Sequence, residues 1–146
     1  MSMTPSERDL MRTLSIQNEG LRYSAYQDSL GFWTIGIGRL IDGRRGGRLS
    51  PDEVIYLYEH DLDDVLADLS TFSWFAPLSP VRQRAVCDLR FQLGPAGLRD
   101  FHQMIDALTW GNLPSAAQHL RHSKLGREQA PQRTAQTAQM LETGIA

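Results

Sequence analysis

Three side chains near the N-terminus combine acid–base character with short spacing: Glu19, Asp28 and Thr34. Glu19 falls where the first helical pattern stops, directly before Gly20. The negative end of a helix disfavours an ionised carboxylate, which suits a group that must give up a proton. Asp28 opens the turn-forming run Asp28-Ser29-Leu30-Gly31, a polar setting that keeps a carboxylate ionised. Two carboxyl groups in unlike surroundings are what breaking a glycosidic bond needs: one protonates the leaving oxygen, and the other acts on the opposite face of the sugar. Thr34, in the next strand-forming run, offers a hydroxyl to orient an attacking water. Each residue type is common, and a lone Glu or Asp is usually a solvated surface charge. The surrounding sequence has to carry the argument.

The elements that would position these groups are readable. Thr4-Pro5-Ser6-Glu7 has the form of a capping box with proline at the first helical position, and it predicts a helix over 5–19 with Leu10, Met11, Leu14 and Asn18 on one face. Between residues 21 and 49 the strand formers Tyr23, Tyr26, Phe32, Trp33, Ile35 and Ile37 predict a small antiparallel sheet of two or three strands. Gly36 and Gly38 alternate with Ile35 and Ile37, which would give one face of that strand no side chains and room for a close approach. Ser50-Pro51-Asp52-Glu53 is a second capping box and starts a long amphipathic helix over 51–69, whose acidic residues outnumber its basic ones seven to none. After the apolar connection Trp74, Phe75 and Leu78, further helices are expected. One runs from Pro80 to Gly94, one through Leu98, Phe101, Ile105 and Leu108 to Gly111, and two shorter ones cover 114–124 and 131–143. The fold class is α+β, mostly α: an N-terminal helix, a small sheet lobe over about 21–49, a long connecting helix and a C-terminal helical bundle over about 51–144, in one domain of 146 residues.

Composition excludes several alternatives. With 41% hydrophobic and 22% charged residues the chain is neither disordered nor fibrous. The single Cys87 excludes an internal disulfide and reads as a small buried hydrophobe. No run approaches a membrane span, and Glu7, Arg8, Asp9 and Arg12 interrupt any signal-peptide core. The net charge of −2 argues against a nucleic-acid partner. His119 and His122 are one helical turn apart but lack a sequence-near third ligand, so no metal is expected. Arg39, Arg44, Arg45 and Arg48 read either as a grip for an anionic polymer or as a solvated loop facing the acidic helix. Trp33, Trp74 and Trp110 read as core or rim packing, with Trp33 the one to test for sugar stacking.

The runs Glu19-Gly20-Leu21-Arg22, Tyr26-Gln27-Asp28 and Gly31-Phe32-Trp33-Thr34-Ile35-Gly36-Ile37-Gly38 resemble the phage-type lysozymes of the T-even phage lineage, which share E-G-L-R, Y-x-D and G-x-x-T-I-G-x-G. Phe91-Gln92-Leu93-Gly94, Pro131-Gln132-Arg133 and Thr143-Gly144 extend the likeness over about residues 5–144. The resemblance implies a lysozyme-like fold. It puts the acid, second carboxylate and water-positioning threonine at Glu19, Asp28 and Thr34, cleft-lining positions at Leu40, Phe91 and Gln92, and an arginine beside the acid at Arg133. Arg39 stands where that family commonly has a histidine paired to an aspartate, here Asp61, so an Arg39–Asp61 ion pair with a depressed Asp61 carboxyl is expected.

The activity implied is hydrolysis of the bond from N-acetylmuramic acid to N-acetylglucosamine in bacterial peptidoglycan, for host lysis, by a monomer without cofactor. Such a chain would sit in the host cytoplasm until a holin pore released it to the periplasm. Two rival readings are a virion-associated lysozyme that pierces the wall at infection, and a non-catalytic wall-binding module on the same scaffold. The intact Glu19, Asp28 and Thr34 count against the second.

Overall fold

The computed structural model describes residues 3–40 and 49–146; Arg44, Arg45 and Arg48 lie outside the described residues. Helix α1 (Pro5–Glu19) leads into an antiparallel sheet ordered β1 (Arg22–Gln27), β2 (Trp33–Gly36), β3 (Arg39–Leu40). The helices α2 (Pro51–Leu69), α3 (Pro80–Arg99), α4 (His102–Thr109), α5 (Leu113–His122) and α6 (Pro131–Thr143) follow, with a π-helical turn at Leu125–Gln129 before the last. This is the mostly helical α+β, lysozyme-like class that the sequence predicts. Among the described residues, no helix is long and apolar enough to cross a membrane.

The chain divides into two compact units, Arg8–Asp64 and Met1–Glu7 with Val65–Ala146. The first, the sheet unit, buries Met11, Leu14, Ile35, Ile37, Val54, Tyr58 and Leu62. The second, the helical unit, closes over Leu69, Phe75, Val86, Leu89, Leu98, Met104, Leu120 and Leu141. Removing one such side chain from water contributes about 1.5–3 kcal/mol. Cys87 is fully buried, and burial pushes its thiol above the usual range.

Local chemistry explains most boundaries. At Ser50 both halves of the capping box form: the Ser50 N–H donates to Glu53 Oε2 at 2.7 Å, and the Glu53 N–H donates to Ser50 Oγ at 3.3 Å. At Thr4 only one half forms, the Glu7 N–H donating to Thr4 Oγ1 at 3.2 Å, because the Glu7 carboxylate is taken by the Arg84 guanidinium. Gly94 does stop the first stretch of α3 (φ 72, ψ 173), and the chain turns helical again from Pro95.

Four expectations are corrected. The helix drawn through Leu98 to Leu108 is two pieces, since Leu98 belongs to the end of α3 and the break at 100–101 precedes α4. Helix α5 ends at His122, where Ser123 Oγ donates to the Leu120 carbonyl at 2.6 Å and accepts from the Gly126 N–H at 3.1 Å, seeding the wider turn. Trp110 is not packed; it is 86% exposed. The glycine-alternating strand stops at Gly36, and Ile37 and Gly38 form the turn into β3.

Four acidic side chains of α2, Glu59, Asp61, Asp63 and Asp68, meet arginines from other elements. In the sheet unit Arg8 bridges Glu59 and Asp63, each at 2.7 Å, and Arg12 reaches Glu59 at 3.0 Å. Burial works against ionised Glu59, but hydrogen bonds from Arg12 and Arg8 outweigh it and hold the carboxyl below its usual range. In the helical unit Asp68 takes Arg99 at 2.6 Å and also Arg90, and it too is lowered. Asp61 goes the other way. The expected Arg39–Asp61 pair exists, but at 3.9 Å it is a contact of charges without a hydrogen bond. Burial raises the Asp61 carboxyl, Arg39 only partly offsets this, and neighbouring Asp64 adds to the rise. The expected depression is therefore overturned.

Two outcomes follow from these charges. A carboxyl whose folded pKa lies above its unfolded value stabilises the fold while protonated and loses that contribution as pH rises through the folded pKa. Asp61→Asn should therefore gain stability over wild type at neutral pH relative to pH 3, and an NMR titration should place Asp61 above 3.8, higher again in Arg39→Ala. A titration below 3.8 would contradict this. In the helical unit, Arg133 grips Asp88 with two bonds, Nε to Oδ2 at 3.1 Å and Nη2 to Oδ1 at 2.8 Å, and the Asp88 side chain is 1% exposed. Stripping the cation leaves a buried charge, so Arg133→Ala should lose about 3 kcal/mol in denaturant unfolding. Removing both charges with Asp88→Asn and Arg133→Met should lose less.

Candidate active site

Glu19, Asp28 and Thr34 all belong to the sheet unit. Glu19 is the last residue of α1, as the sequence predicts, and it is half-buried. Gly20 follows with φ 78, its N–H closing the helix on the Ile16 carbonyl at 2.8 Å.

Asp28 lies in the connection between β1 and β2 and builds it. Its Oδ1 accepts the backbone N–H groups of Leu30 and Phe32, each at 2.9 Å. Its own N–H donates to the Phe32 carbonyl at 2.9 Å, and its carbonyl accepts from the Gly31 N–H at 3.0 Å. Bonds to an ionised carboxylate contribute about 1.5–3 kcal/mol each, so this side chain holds the turn closed. Both of these side-chain bonds fall on Oδ1.

Thr34, on β2, is only 5% exposed. Its hydroxyl donates to the Phe32 carbonyl at 3.2 Å, which commits the hydrogen and leaves its lone pairs to accept. The main chain of Phe32 therefore joins Asp28 to Thr34 through its N–H and its carbonyl. Phe32 as a whole is 54% exposed.

The glycines expected to allow a close approach do so by a different route. Gly36 and Gly38 have φ 68 and 71, left-handed values that end the strand. A Cβ built on Gly38 would stand 2.8 Å from Glu19 Cγ and 2.9 Å from its Cδ and Oε2. What approaches this backbone is the Glu19 side chain.

Tyr26 completes the surroundings. It pairs with Thr34 across β1 and β2, and its hydroxyl donates to the Glu19 carbonyl at 3.5 Å. Burial and the charges of Glu19 and Asp28 hold the phenol above its usual range, with Arg22 opposing. The other expected site residues divide: Leu40 pairs with Thr34 through β3, whereas half-buried Phe91 and Gln92, together with Arg133, belong to the helical unit. Among the described residues no group of three His, Cys, Asp or Glu could hold a metal. Sequence reasoning missed the main chain of Phe32 and the hydroxyl of Tyr26. Only the second had a signal, its place two residues before Asp28.

Residues 16–137 match the family model described as phage lysozyme, a span that includes every candidate site residue. The chain belongs to the phage lysozyme family, a family of glycoside hydrolases. It is similar to the pre-baseplate central spike protein Gp5 of Enterobacteria phage T4, with 29% identity over 154 residues. That alignment covers 88% of this chain and 27% of the spike protein, so the chain spans about a quarter of its relative's length.

The contact at Gly38 gives a direct test. Gly38→Ala adds a methyl group where Glu19 lies and forces a non-glycine residue into a left-handed conformation, a penalty of about 1–2 kcal/mol before any clash. The variant should unfold at lower urea, and the resonances of the Glu19 side chain should shift. An unchanged midpoint with unmoved Glu19 resonances would show that the contact is not made.

Proposed function

We propose that this chain is a muramidase that hydrolyses the glycosidic bond from N-acetylmuramic acid to N-acetylglucosamine in bacterial peptidoglycan, the whole chain acting as one lysozyme-like domain. Glu19 is the proton donor to the leaving oxygen. Asp28, through Oδ2, and Thr34, through its lone pairs, hold the attacking water. The observation that carries this reading is the double use of Phe32: its N–H binds Asp28 and its carbonyl binds Thr34, so the two water-holding groups share one rigid segment. Positioned groups of this kind act by orientation and proton transfer, so no cofactor is called for. Leu40, Phe91 and Gln92 are proposed to line the glycan's path, and Arg133 to border it.

Host lysis, with a holin pore giving access to the periplasm, is the setting we favour, the enzyme acting as a monomer. The similarity to a virion spike protein supports a second setting, in which the same chemistry opens the wall at infection. Mass spectrometry of purified virions separates the two.

Glu19→Gln removes the transferable proton while keeping size and polarity. It should lower the clearing of chloroform-treated Gram-negative cells by at least about a hundredfold, with an unchanged circular dichroism spectrum. A folded Glu19→Gln protein that clears cells at the wild-type rate would sink the assignment.

A further inference from the structure

Several contacts converge on one side chain of the sheet unit that has no assigned role. Glu19 ends α1, so its carbonyl is among those that the helix leaves without an internal donor. The Tyr26 hydroxyl donates to that carbonyl at 3.5 Å. Tyr26 is in register with Thr34, and in an antiparallel pair directly opposed residues project from the same face of the sheet. Two residues later the strand runs into Asp28. The Arg22 guanidinium stands over the Tyr26 ring, 5.2 Å from its centroid, a contact that restrains the ring.

We propose that Tyr26 is a positioning residue: its hydroxyl fixes the terminal carbonyl of α1, and with it Glu19, over the strand that bears Thr34 and leads into Asp28. This rests on the reading of Glu19 as proton donor. A ring alone would satisfy the packing, and phenylalanine would supply it. The hydroxyl adds a polar tie between the helix end and the sheet face, which a ring alone cannot supply. A phenol donates only while protonated, and the burial and negative charge around Tyr26 favour that form. At 3.5 Å the bond is long, so it adds little to folding stability. Long hydrogen bonds in ligand-free active sites often tighten when substrate binds, and a displacement near 1 Å at the reacting groups can cost on the order of a hundredfold in rate. Stability and turnover should therefore respond differently when the hydroxyl is removed.

The experiment uses the full chain on purified Gram-negative peptidoglycan, comparing wild type, Glu19→Gln, Tyr26→Phe and a protein with fluorotyrosine installed at position 26. With wild type active and Glu19→Gln inactive, Tyr26→Phe should lose about tenfold or more in kcat with KM unchanged and the melting temperature nearly retained. Fluorotyrosine should restore kcat near neutral pH, because its phenol is still protonated there and keeps the donor. Tyr26→Phe with wild-type kcat overturns the positioning role and leaves the muramidase reading standing. If Tyr26→Phe fails to fold, a protein with para-fluorophenylalanine at position 26, close to tyrosine in size and unable to donate, decides, and wild-type kcat there overturns the inference. An inactive wild type overturns the muramidase reading itself and removes the basis of the inference with it.

Discussion

The exchange of hydrogen bonds between Asp28 and Phe32 is the constraint on which the sheet unit depends. One carboxylate oxygen gathers two backbone N–H groups, while the main chains of residues 28 and 32 pair with each other. The turn cannot open without exposing a charge-assisted set of bonds, so β2 starts at a fixed place. Everything proposed for catalysis is measured from that start: Thr34 hangs on the Phe32 carbonyl, Tyr26 lies opposite Thr34, and the turn after Gly36 brings Gly38 against Glu19.

Charge on α2 shows how geometry decides the sign of an electrostatic effect. Glu59 and Asp68 sit on the same helix as Asp61, yet their carboxyls are lowered and that of Asp61 is raised. Arg8, Arg12 and Arg99 make hydrogen bonds at 2.6–3.0 Å to their carboxylates, and those bonds exceed the cost of burial. Arg39 stops at 3.9 Å, makes no hydrogen bond, and leaves burial in control. A sequence can propose such a pair; the direction of its effect turns on about an ångström.

What was legible in the sequence was what local chemistry determines. Proline at the first turn, capping residues and apolar periodicity gave α1, α2 and α6 their ends. The candidate triplet Glu19, Asp28 and Thr34 stood out through the surrounding run that resembles phage-type lysozymes, since residue types and spacing alone do not single it out. Gly36 and Gly38 misled because glycine is compatible with both a strand and a left-handed turn, and nothing in the residue type distinguishes them. The π-helical turn at Leu125–Gln129 has no compositional mark, since it arises from how Ser123 and Gly126 close the end of α5. Trp110 shows that hydrophobicity without a place in the packing does not imply burial. Phe32 was invisible as a contributor because its contribution is main chain, which every residue other than proline can offer.

The two roles of Asp28 bear on how this protein could lose its activity over evolutionary time. Glu19 does its proposed work with a side chain on which no part of the turn relies. Its replacement would remove the proposed chemistry and leave the bonds of that turn in place. Asp28 supplies the oxygen that closes the β1–β2 connection, so most replacements would damage the scaffold along with the site; asparagine, which keeps a carbonyl oxygen in the same place, is the exception. A lineage drifting toward a purely structural life would therefore shed its acid first and keep an aspartate or asparagine at position 28, a relic whose persistence would record folding and not catalysis.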